Sequence, residues 1–271
     1  MLAAAPKALA CDRRGALELH RGATSGEVSN VPRNRQTAAI LPIQRDGTGR
    51  ALKYLIIGGA ALSAYSTGRG GARNRADRES HALTAAQIGN LRAAESHSRK
   101  MGLPFTRMIS IHWEAAGVPL SAMAKATGRF TDLMAKALAR HGSRAAWLWV
   151  HESGEGKGGH CHLLMHVPAE LVPVIAALQR GWLRRITGKP YRARVIHSDP
   201  IGGRLGLEVS NPDLHRANLE AALAYVLKGA NPAAASQFGL ARVEPGGRVI
   251  GKRCGTSQNI GAKARKADNL E

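Results

Sequence analysis

Between residues 104 and 230, hydrophobic residues repeat at strand spacing and at helix spacing in regular succession. Ile109, Ile111 and Trp113 alternate with polar neighbours, which predicts a half-buried strand. Residues 121–141 have apolar residues at helix spacing, and Gly142 is suited to end that helix. Further elements are predicted as strands over 145–152, 159–167 and 191–197 and as helices over 169–186 and 211–229. The order β-α-β-β-α-β-α predicts an α+β domain whose antiparallel sheet has helices on one face, leaving the opposite face for chemistry.

The composition limits the partners and the location of the chain. Its 271 residues are 44% hydrophobic, which suffices for a folded core, and its formal net charge is +20. Such a positive field favours a polyanion, and nucleic acid explains it more simply than a membrane contact or a merely basic surface. The apolar stretch at 54–65 is short and interrupted by glycine, so no membrane span is predicted. Three widely spaced cysteines provide no disulfide framework, which favours the reducing cytoplasm.

The distribution of residue types predicts three regions. Residues 1–103 are expected to form a basic, largely disordered N-terminal arm with a short helix over 84–100, capped by Thr84. Residues 104–230 form the predicted folded domain. Residues 231–271 are rich in basic and small polar residues and are predicted to be a basic, flexible C-terminal tail.

His160 and His162 flank Cys161 in a predicted strand. Alternate side chains of a strand point to the same face, so both imidazoles project together and Cys161 projects the opposite way. Two histidines on one face form half of a metal site, although solvated or hydrogen-bonded histidines are the ordinary alternative. Glu152 on the preceding strand is the favoured third ligand, with His151 and His112 as alternatives. Two imidazoles and a carboxylate suit Mg²⁺ or Mn²⁺ beside a phosphate.

Tyr225 and Lys228 lie near the end of the last predicted helix. At about 100° per residue they fall on the side opposite the apolar face of that helix. Tyr225 is therefore not placed as a core residue, and it can reach a ligand bound against the neighbouring sheet. A half-exposed surface aromatic is the simpler alternative.

These motifs resemble those of the HUH endonuclease superfamily over residues 104–230. Members have two histidines separated by a hydrophobic residue on a strand, followed by a nucleophilic tyrosine on a later helix. Here the pair is His160-Cys-His162, and Tyr225-Val-Leu-Lys228 matches the Tyr-x-x-Lys form of rolling-circle replication initiators. Glu152 stands where those initiators often have a third metal ligand.

The resemblance implies a ferredoxin-like, split β-α-β nuclease core and a divalent cofactor, Mg²⁺ or Mn²⁺. It implies that Tyr225 attacks a phosphate of single-stranded DNA, or of a DNA hairpin at an origin, and forms a 5′-phosphotyrosine, while Lys228 stabilises the phenolate or the transition state. Initiation of rolling-circle replication of a plasmid or phage-like element is the leading task. A relaxase or a single-tyrosine transposase would use the same chemistry. The sequence has no Walker-type phosphate loop, so a helicase would be a separate partner.

Basic residues are concentrated in the second half of the predicted helix over 169–186 and directly after it. They are candidate contacts to the DNA backbone, or else a solvated helix face: Arg180, Arg184, Arg185, Lys189, Arg192 and Arg194. Two other functions are open at this point. The first alternative to tyrosine-mediated nicking is a noncatalytic nucleic-acid-binding protein. The second is a hydrolase in which a metal-bound water, and not Tyr225, attacks the phosphate.

Overall fold

The computed structural model describes residues 76–268 and four two-residue strands within residues 44–61. Those four strands pair antiparallel as Gln44–Arg45 with Ala51–Leu52 and Ile56–Ile57 with Ala60–Ala61. They belong to a unit of residues 1–66, separate from the unit of residues 67–271. The predicted N-terminal arm lies mostly outside the described residues. No helix in the described part of the chain has the length and apolar character to cross a membrane.

The second unit contains seven α-helices and seven strands among its described residues. The helices are α1 (Ala85–Lys100), α2 (Met123–Arg140), α3 (Val172–Thr187), α4 (Leu207–Ser210), α5 (Pro212–Val226), α6 (Pro232–Gln237) and α7 (Ala262–Asp268). The strands are β1 (Glu79–Ser80), β2 (Arg107–Ile111), β3 (Trp147–Gly154), β4 (Gly158–Met165), β5 (Ile196–Pro200), β6 (Val249–Ile250) and β7 (Cys254–Thr256). The unit is therefore α+β, as predicted.

Five strands form one antiparallel sheet in the order β7-β3-β4-β2-β5, and β1 pairs with β6 outside it. A tight turn joins β3 to β4 as predicted, with Gly154 opposite Gly158. The last strand of the predicted domain begins later than expected, at Ile196, because Arg194 has a positive φ of 65° that interrupts an extended chain.

Both faces of this sheet are covered by helices, so the prediction of helices on one face alone is wrong. The face of Cys161 and Leu163 packs against α2 and α3. On the opposite face, Leu148, Val150 and Leu164 pack against α1, α5 and α6. The reason is that apolar residues occupy both parities of β3 and β4. The second face is apolar at one end and bears Glu152, His160 and His162 at the other, which stays open to a cavity.

The boundaries predicted at residues 103 and 230 need correction. Ile88 and Leu91 of α1 are fully buried in the core cluster that covers Leu148, and Thr84 caps this helix as expected. At the other end, β7 pairs with β3 in the central sheet, and Ile260 is fully buried. The sequences on both sides of the predicted domain therefore supply core residues, although their charge made them resemble arms.

Arg253 holds the segment between α6 and β7 against the sheet. Its side chain is 2% exposed and donates to the carbonyls of His151, Gly246, Gly247 and Ser80, and to the Ser80 hydroxyl. Burial lowers the pKa of this guanidinium to about 10. Gly247 has a φ of 65°, and a Cβ there would overlap the Ser153 backbone. Residues 244–247 can thus lie directly over the end of β3, next to Glu152.

Arg253→Gln is expected to lower the free energy of unfolding by about 2–4 kcal/mol, because several buried carbonyls lose their donor. Lys252→Gln is the matched control, since Lys252 is exposed, its ammonium lies only over the Trp149 ring at 5.7 Å from the centroid, and the bond from His151 goes to its backbone carbonyl. Urea denaturation followed by circular dichroism measures both. A loss for Arg253→Gln no greater than that of Lys252→Gln would contradict this role.

Candidate metal centre

Glu152, His160 and His162 come together at the open end of the second sheet face. The register of β3 and β4 puts Glu152 opposite His160, and Ser110 of β2 lies opposite His162. The Glu152 Oε2 atom is 3.3 Å from His160 Nε2 and 3.6 Å from His162 Nε2. One ligand atom from each residue lies within 4.8 Å of the others, and all three side chains are buried. This group can hold a metal ion.

The hydrogen bonds of the two imidazoles prepare them to bind a cation. His160 Nδ1 lies 2.9 Å from the Gly158 carbonyl, which can only accept, so Nδ1 donates to it and Nε2 is the ring nitrogen that faces Glu152. His162 Nδ1 lies 2.9 Å from the Ser110 hydroxyl, which fixes the orientation of the ring and turns Nε2 toward Glu152. His162 Nε2 and Glu152 Oε1 are buried without a hydrogen-bond partner among the described residues. An unpartnered His162 Nε2 beside the Glu152 carboxylate and His160 Nε2 fits a divalent cation.

The electrostatics of the centre keep Glu152 and His162 in the forms that bind metal. Burial by itself raises the pKa of Glu152, but interactions with His160, His162 and Lys228 outweigh it and hold the pKa well below its usual range. Burial lowers the pKa of His162, more than the nearby carboxylate raises it. A charged carboxylate and a neutral imidazole are both ligand forms.

The two alternative ligands have different places in the structure. His151 lies on the opposite face, fully buried, with Nε2 2.8 Å from the Thr127 hydroxyl and Nδ1 2.9 Å from the Lys252 carbonyl. Burial lowers its pKa to about 4, so it is a neutral core histidine. His112 does border the centre, because its ring stacks on His160 with 5.6 Å between the ring centroids. Cys161 is also on the opposite face, where burial raises its thiol pKa to about 12.

Tyr225 lies against the metal ligands. Its ring is edge-on to that of His162, with 5.1 Å between the centroids. Helix α5 sets this position: Asn211 caps it, and His215 Nε2 donates to the Phe105 carbonyl at 3.0 Å. Leu219 and Leu223 of α5 pack on the apolar end of the same sheet face. Tyr225 therefore lines one cavity of about 320 Å³ together with the three ligands.

Lys228 reaches the centre by a different route from the one predicted. Helix α5 ends at Val226, two residues before Lys228, so Lys228 does not lie on a polar helix face. Its side chain is buried, donates to Glu152 and lies 3.7 Å from Glu244 Oε2. The ammonium is also 5.0 Å from the centroid of the Tyr225 ring. Lys228 thus joins the proposed nucleophile to the ligand group.

Further residues that line the cavity, or lie beside it as Arg242 does, come from segments that the motifs do not cover. Arg242 lies 5.4 Å from the Tyr225 ring centroid and forms an ion pair with Glu244. His197 of β5 contacts His112 edge-on and lines the cavity with Pro245. The positive charge of the C-terminal region was the only feature of its sequence that indicated a function. Charge alone does not predict which arginine lies beside Tyr225.

The six basic residues predicted to contact DNA lie elsewhere. They belong to the second half of α3 and the loop after it, and none of them lines the cavity of the metal centre. Arg180 covers the Tyr191 ring, at 5.4 Å from its centroid. Arg192 donates to the Ala115 carbonyl at 2.9 Å. The structure does not bring these residues together with Tyr225.

Comparisons of the chain with protein families, with curated proteins and with solved structures return no match. The function of the chain is therefore inferred from the geometry of the centre and from the residue motifs.

Proposed function

We propose that this chain is a metal-dependent endonuclease that nicks single-stranded DNA through a covalent 5′-phosphotyrosine on Tyr225. The observation that carries the proposal is that Tyr225 and the group Glu152, His160 and His162 line one cavity. A nucleophile and a phosphate-polarising cation must act on the same phosphorus atom, so only such a shared cavity permits this reaction.

The topology gives independent support. Within the sheet, four strands have the order β3-β4-β2-β5, and the helices α2 and α3 that follow β2 and β4 pack on one face. This is the arrangement of a ferredoxin-like, split β-α-β unit. It supports the HUH-type core that the motifs indicate, with α1, α5, α6 and β7 as additions around it.

The proposed reaction exchanges one phosphodiester for another. The Tyr225 hydroxyl oxygen bonds to the phosphorus, the bond from phosphorus to the 3′ oxygen breaks, and the phenol proton is balanced by protonation of that oxygen. A divalent cation held by Glu152, His160 and His162 would offset charge on a nonbridging phosphate oxygen. Lys228, 5.0 Å from the Tyr225 ring, favours the phenolate electrostatically. The energy of the broken bond is kept in the phosphotyrosine, so the free 3′ hydroxyl can reverse the step.

A search for a covalent adduct tests the proposal. The full chain is incubated with a 5′-labelled or 3′-labelled single-stranded library and Mn²⁺, Mg²⁺ or EDTA, then denatured and separated by gel electrophoresis. The expected result is a protein-DNA adduct that retains only the 3′ label and requires the divalent ion. Cleavage without an adduct would favour a metal-activated water instead, and binding without cleavage would leave a noncatalytic nucleic-acid-binding protein.

Initiation of replication remains the leading proposed task, with relaxase and transposase as alternatives.

Arg242→Gln is expected to slow adduct formation about tenfold, because a guanidinium beside the tyrosine can stabilise charge on the attacked phosphate. Arg248→Gln is the matched control. Both arginines are more than half exposed and paired with a glutamate, Glu244 and Glu79 respectively, but Arg242 alone of the two contacts Tyr225. Single-turnover rates measure both variants. Equal rates for the two would remove Arg242 from the mechanism.

A further inference from the structure

A second basic surface lies on the far side of the sheet from the metal centre. We define the α2–α3 surface by six exposed residues, Arg129, Lys136, Arg140, Arg180, Arg184 and Arg185. They line two adjoining grooves of about 560 and 840 Å³, which share Arg185. Helices α2 and α3 cover the sheet face of Cys161, whereas His160 and His162 are on the other face. The α2–α3 surface and the cavity of Tyr225 therefore lie on opposite faces of the sheet and share no lining residue.

The charges of the surface are available to a ligand. Asp132 is the one acidic residue that lines the two grooves, and it pairs with Lys136 at 2.8 Å. The other five cations have no carboxylate partner within the described part of the chain. Five guanidinium groups held at exposed positions on two packed helices form a site for a polyanion.

The spacing of the cations fits a double helix. Lys136 and Arg140 lie seven and eleven residues after Arg129, so both are within about 20° of a line drawn along α2 through Arg129. This line is about 16 Å long at 1.5 Å per residue. It exceeds the roughly 12 Å width of the major groove of B-DNA, so its ends can reach phosphates on both edges of that groove.

The aromatic residues of the grooves argue against a single strand as the ligand. Proteins that bind single strands present aromatic rings on which the bases stack. Here Trp182 is 8% exposed and packs edge-on against Phe130, and the Tyr191 ring is covered by Arg180. The groups that a ligand can contact in the two grooves are therefore mainly cationic side chains. Such groups suit a DNA duplex, which exposes its phosphates and stacks its bases inside.

We infer that the α2–α3 surface binds the phosphate backbone of duplex DNA, separately from the single strand at Tyr225. The inference rests on the proposed function only in naming DNA as the polyanion. A nick must be made beside a duplex that remains paired, and a second surface allows the protein to hold that duplex while one strand occupies the cavity.

The test compares two triple variants of the full chain that each remove three charges. One is R129Q/K136Q/R140Q, and the control is K100Q/K263Q/K266Q, which changes exposed lysines of α1 and α7. Fluorescence anisotropy measures the affinity for a labelled 20-base-pair duplex and for the corresponding single strand at several salt concentrations. The first variant is expected to bind the duplex at least about tenfold more weakly, with a salt slope lower by about 2 to 3. The control, and single-strand binding by both variants, should change less than about threefold.

Three results would overturn the inference: equal losses in the two triple variants, no loss of duplex affinity, or an equal loss of single-strand affinity. Thermal unfolding curves of both triple variants serve as the control that each variant is folded. The adduct assay separates this inference from the proposed function. If no adduct forms but the duplex result holds, the nicking proposal fails and the α2–α3 surface stands. If adducts form normally and the duplex affinity is unchanged, the surface inference fails alone.

Discussion

Replacing Tyr225 by phenylalanine is expected to reduce covalent adduct formation by at least roughly 10³-fold, because the attacking oxygen is removed. The ring itself remains, so its edge-on packing against His162 and its contacts with Lys228 and Arg242 are kept. Single-strand affinity is therefore expected to stay within about threefold of the unmodified protein. A gel assay with 3′-labelled DNA and Mn²⁺ measures the adduct, and anisotropy measures binding.

Tyr191→Phe provides the matched control for this prediction. Tyr191 is also partly buried and also lies beneath an arginine, but it packs in the cluster of α2 and α3 on the other side of the sheet. It should form adducts at the normal rate. Nicking that persists in Tyr225→Phe would assign the attack to water. Loss of the adduct in Tyr191→Phe alone would show that Tyr225 is not the nucleophile.

The metal centre was predictable because strand parity is a local property. Once the two strands are recognised as a hairpin, His160 and His162 must share a face, Cys161 must point away, and either Glu152 or His151 shares the face of the two histidines. The choice between Glu152 and His151 needed one further argument, the preference of divalent cations for a mixed set of ligands. The structure places the His151 imidazole in the core, where Thr127 and the Lys252 carbonyl satisfy both nitrogens.

The extent of the domain was not predictable in the same way. Helix α1 has few strongly apolar residues, and β7 is only three residues long. Both become core elements through contacts with residues far away in sequence, such as Val150 opposite Cys254. Charge and glycine content dominate the composition of these regions, and composition does not report such long-range pairing.

The position of Lys228 shows a related limit. Helix periodicity placed Tyr225 off the apolar stripe, and the structure has it partly buried against the edge of the core cluster. The same periodicity assumed that the helix continues to Gly229. The chain instead leaves the helix at Leu227, and the carbonyls of Lys228 and Gly229 accept bonds from Glu244 and Leu83. These partners are remote in sequence, and they direct Lys228 toward Glu152. The motif singled out a lysine that does line the cavity, but the helical position assumed for it does not hold in the structure.

Changing both His160 and His162 to glutamine is expected to abolish tight binding of Mn²⁺ and to reduce adduct formation by at least roughly 10³-fold. Glutamine approximates the volume and polarity of histidine, but its side-chain amide is a poor ligand for a transition metal. The cation would then have Glu152 alone, whose carboxylate already accepts a bond from Lys228. Isothermal titration calorimetry with Mn²⁺ measures binding directly, and it does so whether or not the protein cleaves DNA.

The matched control is the pair His112→Gln and His197→Gln, two histidines that line the same cavity but are not in the group of converging ligand atoms. The control should retain Mn²⁺ affinity within about tenfold. Loss of binding in both double variants would bring His112 into the ligand set, as its stacking on His160 allows. Retention of binding in the His160 and His162 variant would show that the converging atoms do not hold the ion, and the metal-dependent mechanism at Tyr225 would fail with it.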